Sequence, residues 1–151
     1  MKSPTQQVWK IIPAGWRDLK AVHELEQACF SRDAYPYLEL LGLLTLPGIV
    51  RHKAEESGEL IGFVAGEKRA VTGAGWVVTV CVHPDYRRQG IARRLVHVCE
   101  EELGQAKVRL CVRATNQAAI QLYQSQGYQA IKPWVRYYND GEDALVMEKQ
   151  R

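Results

Sequence analysis

Residues 83 to 95, HPDYRRQGIARRL, set Arg87, Arg88, Arg93 and Arg94 around Gly90 and Ala92, directly after a β-branched run ending at Val82. Such a turn suits an anion. Unpaired N–H groups at a helix start carry the positive end of its dipole, and a glycine lets a ligand approach the backbone. Guanidinium groups add charge-assisted hydrogen bonds to phosphate oxygens. The fragment has neither GxxxxGK nor GxGxxG, so it is not a Walker loop or a dinucleotide fingerprint. The residues alone leave two readings, a pyrophosphate site and a solvated basic helix end.

Short alternating elements must hold that turn. Residues 8 to 12 read as a strand, and WRDLKAVHELEQACF carries Leu19, Val22, Cys29 and Phe30 near helical spacing. A short helix is expected within 37 to 45, then strands at 49–54, 60–66 and 75–82, the last being the run WVVTVCV that suits a central strand. From Gly90 to Leu103, Ile91, Leu95, Val98, Cys99 and Leu103 form one apolar helical stripe. KVRLCVR, 107–113, reads as a strand. NQAAIQLYQSQG reads as a helix with Asn116 at its N-cap and Gly127 at its end, and 128–149 as two strands joined around NDG. The anion turn thus joins strand to helix in a β-α-β unit.

Bulk properties narrow the function classes. The 151 residues are enough for one domain, expected over 1–151, and the net charge of +3 is too small to imply nucleic acid. The first fifteen residues lack the apolar stretch of a signal peptide, and the most apolar segment, YLELLGLLTLPGIV, is interrupted by Glu39 and Pro47. A cytoplasmic protein without a membrane span is expected. Cys29, Cys81, Cys99 and Cys111 lie in apolar segments without a CxxC pair and read as free thiols. Cys81 and His83 could share a strand face, but two ligands do not make a metal site, so none is expected.

HPDYRRQGIARRLV resembles the acyl-CoA signature of the GNAT acetyltransferases, R/Q-x-x-G-x-G/A, with Arg87, Gly90 and Ala92 in the motif positions. About 26 residues further on, NQAAIQLYQSQGYQ resembles the next element of that family, matched by Asn116, Ala119, Leu122, Tyr123, Gly127 and Tyr128. The resemblance implies a mixed α/β GNAT fold. It has a largely antiparallel sheet of six or seven strands, splayed at 75–82 and 107–113 and flanked by about four helices. It implies acetyl-CoA as cosubstrate, with the pyrophosphate at the turn carrying Arg87, Arg88, Gln89, Gly90, Ile91, Ala92 and Arg93, and with Asn116 and Tyr123 contacting other parts of the cosubstrate. The pantetheine would lie against the backbone of Val80 and Val82, with one of their N–H groups, or that of Cys81, polarising the thioester carbonyl. Tyr123 would protonate the sulfur.

The proton acceptor is where the chain departs from the family. In RLCVRATN the position resembling the usual Glu or His is Cys111, and a neutral buried thiol is a poor base. Trp76, at another position where relatives carry a base, accepts no proton. CFSRDAYPY resembles the loop P-E-N-Y of protein N-terminal acetyltransferases, which places Asp33 near the acidic position and Tyr35 beside the acceptor. A water relay is the alternative to Asp33. An α-amino group with a pKa of about 7.8 is roughly 10% neutral at pH 7, a lysine at about 10.4 only roughly 0.04%, a difference of roughly 3.5 kcal/mol. An N-terminus therefore demands less of a base. VRYYNDGEDALVMEK resembles Y-Y-x-x-G-E-D-A-x-x-M of ribosomal-protein-alanine and protein N-terminal acetyltransferases, which gives Tyr137 and Tyr138 an acceptor-binding role.

The expectation is an acetyl-CoA-dependent N-acetyltransferase acting on a protein or peptide N-terminus, as monomer or homodimer, with no nucleic-acid or membrane partner. Acetylation of a small amine or lysine is the alternative. A CoA-binding module without catalysis is the alternative of another class.

Overall fold

The computed structural model describes residues 8–151; the first part of the segment inspected for a signal peptide, residues 1–7, lies outside them. In chain order the elements are β1 (Lys10–Pro13), α1 (Leu19–Cys29), α2 (Tyr37–Thr45), β2 (Ile49–Glu56), β3 (Glu59–Arg69), β4 (Ala74–Val82), α3 (Ile91–Leu103), β5 (Lys107–Arg113), α4 (Gln117–Ser125), β6 (Gln129–Trp134) and β7 (Ala144–Gln150). The strands form one sheet in the order β1-β2-β3-β4-β5-β7-β6. Every neighbouring pair is antiparallel except β4 and β5. The mixed sheet and its flanking helices are those expected.

Boundaries differ by a few residues at several elements, among them β3, which runs to Arg69 rather than to residue 66, and two of the differences have clear local reasons. The first strand starts at Lys10, where pairing opposite Glu55 begins, rather than at Val8. The first long helix starts at Leu19 after a 3-10 turn over Trp16–Asp18, because the Asp18 carboxylate accepts the Gly15 N–H at 2.9 Å and caps that turn.

Two apolar layers hold the sheet. Val22 and Leu25 of α1 and Leu40 and Leu44 of α2 pack with Phe63, Ala65 and Cys81 on one face. Ile91, Leu95, Cys99 and Leu103 of α3, with Ile120 and Tyr123 of α4, cover the other with Val64, Val77 and Val82. The α3 crossing is close: a Cβ on Gly66 would stand 2.6 Å from the Cys99 Sγ. The α3 helix also buries Glu100, whose carboxylate accepts from the Tyr128 hydroxyl at 2.6 Å and the Lys149 ammonium at 3.0 Å. Both oxygens are thereby satisfied, as a buried charge requires. Among the described residues no helix is long and apolar enough to cross a membrane.

Candidate active site

The parallel pair β4 and β5 is joined only at Gly75 opposite Val108 and Trp76 opposite Arg109, after which the strands separate. β4 stays paired with β3 to Val82, and β5 with β7 to Arg113, so the gap between them opens through continuous strands. Backbone groups alternate sides along a strand. The His83 N–H donates to the Ile61 carbonyl at 2.8 Å, which directs the amides of His83, Cys81 and Thr79 towards β3. Those of Val80 and Val82 face the gap, and Val78 is the extra residue of a β-bulge between the pairs Ala65–Thr79 and Gly66–Val77. The Val78 carbonyl accepts the Tyr35 hydroxyl at 3.4 Å, and the Val82 carbonyl accepts the Cys29 thiol at 3.3 Å and the Arg87 Nε at 3.4 Å. Val80 and Val82 thus present their backbone to the gap. The Cys81 amide belongs to the β3 ladder, which leaves its side chain as the part near the site.

The basic turn leads from the mouth of this gap into α3. His83 caps a 3-10 turn over Pro84–Tyr86 through its Nδ1, which accepts the Asp85 N–H at 3.1 Å. Cys81 and His83 therefore do not converge. Arg88 and Gly90 take left-handed backbone conformations, φ 63° and 81°. No atom of the described residues stands within 4 Å of where a Gly90 Cβ would be, so glycine is favoured there by its dihedral and by open access to the first N–H groups of α3. Arg88, Gln89 and Gly90 are exposed, Ala92 is half-buried, and Ile91 anchors the helix start in the core. The Arg93 guanidinium donates to Ser125 Oγ at 3.0 Å, tying α3 to α4. Asn116 caps α4 by accepting the Ala119 N–H at 3.2 Å.

Tyr123, only 9% exposed, projects from α4 beneath the gap, edge-on to Tyr128 at 5.9 Å. Burial, with the neighbouring Cys81 and Cys111 thiols, raises its phenol well above the usual tyrosine range, so it holds its proton at neutral pH. Cys111, at the position where the resemblance implies a base, lies on β5. Burial raises its thiol against the lowering effect of hydrogen bonds with the Tyr137 and Tyr138 hydroxyls, so it stays neutral. Tyr35 is pushed up to about 12, chiefly by burial and then by Tyr137 and Glu26.

Across the gap, one guanidinium gathers two loops. The Arg113 Nε and Nη2 donate to the two oxygens of Asp33 at 2.7 and 2.8 Å, and its Nη1 donates to Asp140 at 2.9 Å and Glu142 at 2.8 Å. It also stacks over the Tyr138 ring, 4.2 Å from the centroid. Asp33 is therefore held in a bidentate ion pair, an arrangement that positions the 30–36 loop. An aromatic row continues from Tyr138 through Tyr137 (5.1 Å), Trp134 (5.2 Å) and Trp76 (5.5 Å), closed by the Arg69 guanidinium 4.3 Å from the Trp76 ring.

Three features here were not singled out from sequence. Arg113 and Trp134 owe their places to contacts between distant strands and loops, for which no local pattern exists. Glu26, fully buried in α1, accepts the Thr79 hydroxyl at 2.7 Å on Oε1, while its Oε2 is buried without a hydrogen-bond partner among the described residues. Its signal was readable, a carboxylate inside the apolar stripe Val22, Leu25, Cys29. Among the described residues no cluster of metal-ligating side chains occurs.

Residues 19–128 match the Acetyltransferase (GNAT) family. The chain is 35% identical to N-alpha-acetyltransferase 20 of Dictyostelium discoideum over 68% of its own length, and the match spans 63% of that relative. It is 33% identical to the ribosomal protein bS18-alanine N-acetyltransferase of Escherichia coli, covering 86% of this chain and 89% of the relative. The crystal structure of the ribosomal-protein-S18-alanine N-acetyltransferase from Escherichia coli superposes with a TM-score of 0.84 at 28% identity, covering 94% of this chain and 93% of that one.

Proposed function

The chain belongs to the GNAT acetyltransferase family, and from that premise we propose that it transfers the acetyl group of acetyl-CoA to the α-amino group of a protein or peptide N-terminus. The observation that carries this reading is the gap between β4 and β5, with the gap-facing backbone of Val80 and Val82 on one side and Tyr35, Tyr137 and Tyr138 opposite. The match to the bS18-alanine N-acetyltransferase over most of both chains supports the same acceptor class.

Acetyl-CoA supplies the activated acyl group, and this chain's residues bind, orient and move protons. The first N–H groups of α3 after Gly90 and the side chains of Arg87, Arg88 and Arg93 suit a pyrophosphate. Val80 and Val82 offer gap-facing amides to the pantetheine and the thioester carbonyl. Tyr123 keeps its proton until a thiolate leaves beside it, which fits a general acid. Asp33, committed to Arg113, serves as a positioning residue for the acceptor loop, and Cys111 stays a neutral thiol. Among the described residues these roles leave no strong base for the amine, which favours an acceptor that is already partly neutral, and an α-amino group meets that condition far better than a lysine.

Mass spectrometry of a peptide library incubated with the protein and acetyl-CoA tests the reading. Peptides with free N-termini gain one acetyl group at the α-amine, while blocked peptides with internal lysines stay unmodified. Acetylation of lysines or of small amines alone would replace this acceptor, and acetyl-CoA binding without any turnover would point to a non-catalytic CoA-binding module.

A further inference from the structure

Beneath β4, on the face covered by α1, two thiols stand together. Glu26 and Cys29 are three residues apart on α1 and share a helix face; Thr79 and Cys81 are two apart on β4 and share a strand face. The hydrogen bond of 2.7 Å from Thr79 to Glu26 sets these faces in register. One step along, the Cys81 thiol donates to Glu26 Oε1 at 3.9 Å, which places it beside Cys29 on the facing helix. Cys29 in turn donates to the Val82 carbonyl at 3.3 Å, the same carbonyl that receives Arg87. Cys29 is half-buried and Cys81 buried.

We propose that Cys29 and Cys81 form an oxidisable dithiol at which a hydroperoxide installs a reversible disulfide between α1 and β4, weakening the cosubstrate site. The hydrogen bond from Cys81, and Arg87 beyond it, lower the Cys29 thiol to about 7 against the opposing effect of burial. The two other cysteines serve as internal controls. Cys99 is fully buried against β3 and raised to about 12, and Cys111 is raised by burial. Since the thiolate is the reactive form, Cys29 reacts first.

The chemistry balances without a further reagent. The Cys29 thiolate attacks one peroxide oxygen, the O–O bond breaks, and the departing hydroxide takes a proton to leave as water. The resulting sulfenic acid is attacked by Cys81: the S–O bond breaks, an S–S bond forms, and hydroxide leaves with the Cys81 proton as a second water. Two thiols are oxidised by two electrons and the hydroperoxide is reduced by two. Drawing the sulfurs to about 2.05 Å takes Cys29 off the Val82 carbonyl and shifts Cys81 between the two residues whose amides face the gap.

The test is stoichiometric hydrogen peroxide on the full chain, then removal of the peroxide. Tryptic digestion follows without reductant, which separates Cys29 (peptide 21–32), Cys81 (70–87), Cys99 (95–107) and Cys111 (110–113). The expected product is the linked pair 21–32 and 70–87, two hydrogens lighter than its parts, with Cys29 consumed at least about tenfold faster than Cys99. Cys29→Ser abolishes the link. Cys81→Ser stops Cys29 at a sulfenic acid that dimedone traps, so a folding failure in one variant does not decide the matter. Acetyl-CoA affinity, measured by calorimetry, falls at least about tenfold on oxidation and returns with dithiothreitol. Oxidation of Cys99 or Cys111 as fast as Cys29, or a 29–81 link that leaves acetyl-CoA affinity unchanged, overturns the proposal. The affinity arm rests on the proposed cosubstrate site; the mass arm does not, so the two readings fail separately.

Discussion

Around Gly90 the groups suited to a phosphate come from one continuous run, residues 87 to 93, whereas the proposed acceptor face is assembled from side chains far apart in sequence. The Arg113 to Asp33 pair spans 80 positions and the Arg32 to Asp140 pair 108. The turn presents backbone N–H groups and needs a left-handed φ at Gly90, so its geometry is set by local dihedrals. The acceptor face presents side chains on two loops, and its shape depends on one guanidinium bridging them. Local geometry tolerates change elsewhere in the chain; a bridged face fails when its bridge is cut.

Four variants sharpen or break that comparison. The largest effect is expected where the two halves meet: Tyr123→Phe lowers kcat about 100-fold with the acetyl-CoA KM nearly unchanged, read by steady-state kinetics. Unchanged kcat removes Tyr123 as the acid. Next, Arg113→Lys keeps the charge but loses the fork that holds Asp33, Asp140 and Glu142 together. The acceptor KM should rise about tenfold while acetyl-CoA affinity holds; a matching loss of acetyl-CoA affinity would mean that the halves are not separable.

The converse variant, Arg87→Ala with Arg88→Ala, should weaken acetyl-CoA binding about fivefold, with the loss growing at low salt and the acceptor KM unmoved. Titration at two ionic strengths checks both the size and the trend. The smallest effect concerns the floor beneath both halves. Burial raises the Glu26 carboxyl above its ordinary value near 4.5, with Thr79 hydrogen bonding opposing. The folded protein therefore keeps a proton there that the unfolded chain has released. Stability from this group is full below about pH 4.5 and lost as pH rises through the raised value. Glu26→Gln keeps an acceptor for Thr79 and removes that loss. Its melting temperature should equal that of the parent in acid and exceed it by about 3 °C at neutral pH; a difference independent of pH would show that Glu26 does not titrate in this range.

The strand order illustrates what pattern alone leaves open. The runs at 75–82 and 107–113 announce strands, and the helix between them makes their parallel pairing the natural choice. Nothing in KVRLCVR says that its pairing with β4 stops after two residues, or that β7 lies between β5 and β6. Glu26 was legible as a carboxylate inside an apolar stripe, but its partner Thr79 lies 53 residues away. Asp33 read as a candidate base because its neighbours resemble an acidic loop, and its ion pair with Arg113 appears only when β5 and that loop come together.

By itself the sequence determined the features that depend on short-range physics: the β-branched run of β4, the apolar stripe of α3, the glycine at a left-handed turn, the Asn116 cap of α4 and the arginines beside them. These follow from dihedral preference and periodicity, which act within a few residues. Only the tertiary structure decided which amides of β4 face the gap, which carboxylates Arg113 holds, and that Cys29 meets Cys81. Those contacts join residues separated by tens of positions, and their geometry is set by sheet register and helix packing, which no local stretch of chain contains.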